Sequence, residues 1–126
     1  MNAADALRDL NLEQDTIGFV IQCPWTSEEV RSEWFVDQFQ AETVQYLQKH
    51  GQRDGLTIHL AHMFHMGSRE VIEKLEAWRK ASMIYAPVTL LPQHCDRLRD
   101  LYTRREKLAL AERLARAAFQ GVAVAA

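Results

Sequence analysis

The sequence predicts an all-α protein, a small orthogonal bundle of about five to six helices that ends in a long C-terminal helix. Only five glycines and three prolines punctuate its 126 residues. The hairpin-type pair Asp54-Gly55 occurs once and lacks flanking alternation of apolar and polar residues, which argues against β-hairpins. Apolar residues instead recur at intervals of three and four over most of the chain, as they do on one face of a helix.

One domain over residues 11–119 is predicted, because 126 residues is about the length of a single domain. Residues 1–10 are expected to form a flexible tail, and residues 120–126 a tail or the start of a linker. The formal net charge of -2 gives no general attraction to nucleic acid or to an anionic membrane. Two cysteines make no disulfide framework, and no signal peptide or membrane-spanning run is present, so a cytoplasmic location is expected.

Two capping patterns predict the first two helix starts. Asn11 and Gln14 match a capping-box variant that opens the first helix, and Pro24 ends that helix. Its inward-facing apolar residues are Leu12, Ile17, Val20 and Ile21. Thr26 and Glu29 form a fuller T-x-x-E box, which predicts that a second helix begins there.

The second helical stretch is expected to contain a break. Trp34 and Phe39 are five residues apart, which does not fit one apolar face, so two helices are predicted to meet near residues 36–38. Gly51 then ends the second of these as a left-handed cap. RDGLTIHLAHMFHM, residues 53–66, is expected to form a short helix that Gly67 and Ser68 close, although LTIHL alternates well enough to pass for a strand.

The last third of the chain contains the clearest helical patterns. REVIEKLEAWRKAS, residues 69–82, places Val71, Ile72, Leu75 and Trp78 on one face. MIYAPVTLL, residues 83–91, is predicted to be a buried connection of mixed strand and loop character. Pro92 suits the first turn of a final helix that runs to residue 119 and spans about 40 Å at 1.5 Å per residue. A helix longer than its own small body usually needs a partner along its length.

The histidine row His59, His62 and His65 is the one pattern that suggests metal ligands. Residues three apart on a helix are rotated by about 60° from each other, so the three rings fan over about 120° and only neighbouring pairs can share a metal. His59 and His62 are therefore weak candidates, to which His94 beside Cys95 could add ligands. We expect ordinary hydrogen-bonding histidines and no metal or other cofactor.

No other catalytic pattern is found, so the sequence predicts that the chain is not an enzyme. The five glycines form no P-loop, no dinucleotide-binding fingerprint and no nucleophile elbow. Basic residues gather on the last helix: Arg97, Arg99, Arg104, Arg105 and Lys107. Acidic residues interrupt this run, which favours a solvated or partner-facing surface over DNA binding.

The order of these segments resembles the amino-terminal domain of DnaB-type replicative helicases. NLEQDTIGFVIQCP resembles the opening helix of that family, and GQRDGLTIHLAHMF its Gly-containing turn and short helix. GSREVIEKLEAWRKAS resembles its next helix, and HCDRLRDLYTRREKLALAERLARAAF its long final helix. The resemblance covers roughly residues 11–119 and rests on the order and pattern of the elements.

This resemblance implies a non-catalytic, all-helical domain that pairs with copies of itself and docks primase or a helicase loader at the replication fork. It implies an interface on the last helix, formed by Leu98, Leu101, Tyr102, Arg105 and Leu108. The family's ATP-hydrolysing domain does not follow Ala126, so the chain is expected to be a fragment or a stand-alone relative without the motor. Two alternatives are a mobile-element protein that mimics this domain to recruit, load or inhibit a host helicase, and a histidine-ligated metal protein.

Overall fold

A computed structural model describes residues 6–85 and 90–121, with only the backbone described for residues 83–85. This part of the chain is helical and contains no β-strand, which confirms the predicted all-α class and the long final helix. The α-helices are α1 (Leu10–Gln22), α2 (Gln38–His50), α3 (Leu56–Phe64), α4 (Ser68–Tyr85) and α5 (Leu91–Gln120). Two 3₁₀ helices, Pro24–Glu29 and Ser32–Trp34, connect α1 to α2.

Helix α1 begins two residues earlier than the capping pattern predicts. Asp9 is the N-cap, and its side chain accepts a 3.0 Å hydrogen bond from the backbone N–H of Leu12. That bond satisfies one of the free N–H groups of the first turn, so Leu10 and Asn11 are already helical. The helix ends at Gln22, just before Pro24 as predicted.

The predicted helix start at Thr26 is wrong. The Thr26 hydroxyl donates a 2.7 Å hydrogen bond back to the Cys23 carbonyl, so it cannot cap a following helix, and two short 3₁₀ helices form instead. The predicted break near residues 36–38 is confirmed: Asp37 caps α2 by accepting a 2.8 Å bond from the N–H of Phe39.

The turns that follow α2 and α3 both use the left-handed conformation. Gly51 has φ 69° and its N–H bonds the Leu47 carbonyl at 2.8 Å, which confirms the predicted cap. The sequence predicts that Gly67 and Ser68 close α3, but His65 does so, with φ 53°. The predicted connection at residues 83–91 differs in part, since α4 runs to Tyr85 and α5 begins at Leu91; residues 86–89 lie outside the described part.

The closest helix pair is α1 against α4. A Cβ added to Gly18 would lie 2.3 Å from the Trp78 carbonyl oxygen, so only glycine permits this approach of the two backbones. Val71, Leu75 and Trp78 of α4 are buried in the core as predicted. Ile72 is not: it is about half exposed at the rim of a shallow cleft beside Leu75, so its predicted place on the inward face is wrong.

Helix α5 has two distinct halves. Its first half buries Leu91, Cys95, Leu98 and Leu101 against α1 and the second 3₁₀ helix. From residue 109 onward, which we call the distal half, every described side chain except Ala117 is exposed. Thirty residues span about 45 Å, so the distal half extends beyond the body.

No helix in the described part of the chain is long and apolar enough to cross a membrane.

Candidate functional site

A buried carboxylate lies where α5 leaves the body. Glu13 of α1 is almost completely buried. Its Oε2 accepts a 2.9 Å bond from Arg8 Nε, and its Oε1 accepts a 3.3 Å bond from the N–H of Val36. A buried charge is tolerated only when it is paired and hydrogen-bonded, as it is in this case. Glu13 therefore ties the segment before α1 to the chain that enters α2.

Arg105 fixes α5 to the same junction. Its guanidinium donates to the Leu7 carbonyl at 2.9 Å and to the Trp34 carbonyl at 3.0 Å. Partial burial lowers the pKa of Arg105, and the nearby Glu13 charge opposes that shift. One side chain thus joins the last helix to the N-terminal segment and to the second 3₁₀ helix. Leu7 and Arg8 thus make defined contacts, although the sequence predicts a flexible tail over residues 1–10.

The structure buries two of the five residues that the sequence places at an interface on α5. Leu98 and Leu101 are 1% and 3% exposed, so both are enclosed by their own chain and neither is accessible to a partner. Tyr102 is half-buried against the core, with the Arg105 guanidinium 6.0 Å from its ring centre. Leu108 is also half-buried. The reason is that this face of the helix already serves as the packing surface for α1 and the second 3₁₀ helix.

The apolar surface of the distal half lies on a different side of the helix. Leu110 comes nine residues after Leu101, which is about two and a half turns, so the two side chains point in opposite directions. Leu110 and Leu114 are one turn apart and are 41% and 52% exposed. Positions that continue the body-facing stripe are polar, namely Glu112 and Arg116. At these two positions the face that would turn toward the body is charged, and the two leucines point away from it.

Phe119 adds a second exposed apolar group at the end of the helix. It is almost fully exposed and lies 18 residues, or about five turns, after Leu101, so it points to the body-facing side but beyond the body. Exposed large apolar side chains that gather on one element mark interaction sites in soluble proteins. The distal half carries three of them, Leu110, Leu114 and Phe119.

The charge of the chain is divided between the body and the last helix. Residues 103–120 contain five basic and two acidic side chains, a net charge of +3, while the rest of the chain contains ten basic and fifteen acidic ones, a net charge of -5. The basic residues of this stretch are Arg104, Arg105, Lys107, Arg113 and Arg116. Within the described residues, Lys107, Arg113 and Arg116 form no ion pair.

The histidine row is dispersed by the structure. His59 Nε2 lies 2.9 Å from Glu42 Oε1, and the Tyr46 ring contacts the tilted rings of His50 and His59, with ring centres 4.2 and 5.0 Å apart. His62 and His65 are exposed to solvent. In residues 6–85 and 90–121, no three His, Cys, Asp or Glu side chains come close enough to hold a metal ion. Within these residues, the weak metal-ligand candidates His59 and His62 therefore have no third side chain that could complete a metal site.

The sequence alone did not reveal the buried ion pair between Glu13 and Arg8. Glu13 lies one turn before Ile17 on the inward face of α1, and an acid at such a position is the signal that could have revealed a buried ion pair. Its partner Arg8 lies in a segment that has no periodicity of its own. The exposure of Trp25 was not predictable either, because an aromatic residue in a helical pattern more often belongs to the core.

No family model, no curated protein and no solved structure matches this chain.

Proposed function

We propose that this chain is a non-catalytic protein-interaction and oligomerisation domain, of the kind found at the amino terminus of DnaB-type replicative helicases. In that role it associates with copies of itself and docks primase or a helicase loader. The observation that carries the proposal is the distal half of α5, which leaves the body with Leu110 and Leu114 exposed on one side.

The energetics of an isolated helix support a binding role for this half. Most helical stability in proteins comes from packing of an apolar face, because helix propensity alone is marginal in water. Every described side chain of the distal half except Ala117 is exposed, and two of these side chains are leucines. A partner that covers Leu110 and Leu114 would supply the missing packing.

The base of the helix supports the same role. Arg105 is hydrogen-bonded to two backbone carbonyls of other segments, so α5 leaves the body in a fixed direction. A helix that is held at its base loses less conformational freedom on binding than a free one, and the lower entropic cost favours association. The leading assignment for the partner follows the resemblance: another copy of the chain, and primase or a loader.

Self-association is tested by measuring mass with light scattering at high micromolar protein. We expect wild type to be a dimer or larger, and the double variant Leu110→Asp/Leu114→Asp to approach the monomer mass of 14.5 kDa. Ile58→Asp is the control, because Ile58 is an even more exposed apolar residue and lies on α3. A wild-type protein that remains monomeric at high micromolar concentration would contradict self-association.

Docking is tested separately with purified primase and helicase loader from the same cell. Binding of either protein to wild type, and its loss in the Leu110→Asp/Leu114→Asp variant, is the expected result. The absence of binding to both would count against the helicase-type role while leaving self-association intact.

A further inference from the structure

A shallow cleft opens where the end of α1, the start of α3 and the first half of α4 meet. Three buried apolar side chains line it, Ile21, Leu56 and Leu75. The half-exposed Ile72 forms its rim, and we call it the Ile72 cleft. Its volume is about 230 Å³. A cavity of about 150 Å³ lined by similar side chains admits benzene, so the Ile72 cleft has room for one branched or aromatic side chain.

The mouth of the Ile72 cleft carries one uncompensated positive charge. Arg53 and Glu76 both line the cleft, but they form no ion pair with each other. Glu76 is held instead by Arg79, whose Nε lies 3.0 Å from Oε1 and whose Nη2 lies 2.7 Å from Oε2. Arg53 is exposed, and its side chain makes no hydrogen bond or ion pair among the described residues. Its guanidinium can therefore receive a carboxylate, which matches its planar pair of donors.

The start of α3 adds a smaller positive contribution to that of Arg53. Gly55 is the N-cap of α3 and has no side chain that could accept a hydrogen bond from the first turn. Thr57 belongs to this turn and also lines the cleft. The positive end of the helix dipole thus lies at the same mouth as the arginine, and both favour an anion there.

We infer that the Ile72 cleft binds a carboxylate that carries a branched apolar side chain, as an N-acyl amino acid or the C-terminal residue of a peptide does. The apolar side chain covers the buried residues and Ile72, and the carboxylate pairs with Arg53. No residue of the distal half is among the described residues that line the cleft, so this site does not depend on self-association.

Both parts of the ligand are needed for measurable binding. A carboxylate that pairs with an exposed arginine strengthens binding by a factor of about five or less. Burial of a four-carbon side chain strengthens it by about tenfold or more. A ligand of this size that makes both contacts is expected to half-saturate the cleft at about 1–10 mM.

The test titrates the full chain with three small compounds and follows the backbone amide signals by NMR. N-acetyl-leucine has both parts, N-acetyl-leucinamide lacks the charge, and N-acetylglycine lacks the side chain. We expect N-acetyl-leucine to shift the amides of Arg53, Thr57 and Leu75 in a saturable way. The amide should bind about three- to fivefold more weakly and N-acetylglycine about tenfold or more.

Two variants with matched controls assign the contacts. Arg53→Gln should weaken the binding of N-acetyl-leucine about three- to fivefold and leave that of the amide unchanged, whereas Arg69→Gln, at an exposed position on α4, should change neither. Ile72→Ala should weaken both compounds about threefold. Met63→Ala is its control, because Met63 is 44% exposed against 49% for Ile72 and does not line the cleft.

The same titrations can overturn the inference. The absence of saturable shifts at these amides up to tens of millimolar removes the site. Equal binding of acid and amide to wild type, or equal effects of Arg53→Gln and Arg69→Gln, removes the carboxylate from the assignment. The peptide acetyl-Gly-Gly-Leu distinguishes the two sources: tighter binding than N-acetyl-leucine identifies the end of a peptide chain, and weaker binding identifies a free small acid.

Discussion

Replacing Arg105 with methionine is expected to lower the free energy of unfolding by about 2–3 kcal/mol, because it removes two charge-assisted hydrogen bonds. These bonds reach the carbonyls of Leu7 and Trp34 at 2.9 and 3.0 Å. Each such bond contributes about 1.5–3 kcal/mol when buried, and the partial exposure of Arg105 reduces the sum. Methionine keeps most of the apolar stem, so the loss reports the guanidinium. The removal also leaves the buried Glu13 with less positive charge nearby.

The neighbouring residue supplies a matched control. Arg104 Nε lies 3.2 Å from Asp100 Oδ2, and both side chains are well exposed, so Arg104→Met should cost no more than about 1 kcal/mol. Urea unfolding followed by circular dichroism gives both values, and the slope with urea should not change. If the two variants differ by less than about 0.5 kcal/mol, Arg105 is a surface arginine and the proposed anchor of α5 is refuted.

Further variants test the core. Gly18→Ala is expected to cost about 1–3 kcal/mol, because its Cβ would meet the Trp78 carbonyl, whereas the exposed Gln14→Ala in the same helix should stay within about 0.5 kcal/mol. Burial raises the pKa of the Cys95 thiol from its ordinary 9.0 to about 11, which favours the protonated form in the folded state. The stability that Cys95 confers should thus be complete below pH 9.0 and decline as pH approaches 11, and a Cys95→Ala variant should show a flatter decline. In native protein, a thiol reagent should label the half-buried Cys23 before Cys95.

Local signals in the sequence were sufficient to predict most of the α-helices. The apolar spacing of α4, the proline after α1 and Gly51 after α2 each act within one or two turns, so their effect can be read without knowing the rest of the fold. The length of α5 follows in the same way, since no glycine interrupts it and Pro92 lies in its first turn.

Contacts between distant segments were not predictable in this way. From the sequence, Thr26 could either cap a helix or donate a hydrogen bond back to the Cys23 carbonyl, as it does in the structure. Which of the two occurs depends on how the chain packs after α1. The roles of Arg105 and Leu101 were misread for a similar reason. Periodicity shows that Leu101 lies on an apolar face, but only the fold shows that its own chain covers that face. Leu110 lies on the opposite side of α5 from Leu101. Only the fold shows that this change occurs where the helix leaves the rest of the protein.

The central claim is that the distal half of α5 binds another protein copy and contributes little to the fold. The most direct measurement compares the mass of the full chain with that of a chain shortened to end at Leu108, which keeps the Arg105 anchor. We expect a folded, monomeric short chain and a dimeric full chain at the same high micromolar concentration. A short chain that associates as strongly as the full one, or a full chain that is only monomeric, would contradict a binding role for the distal half.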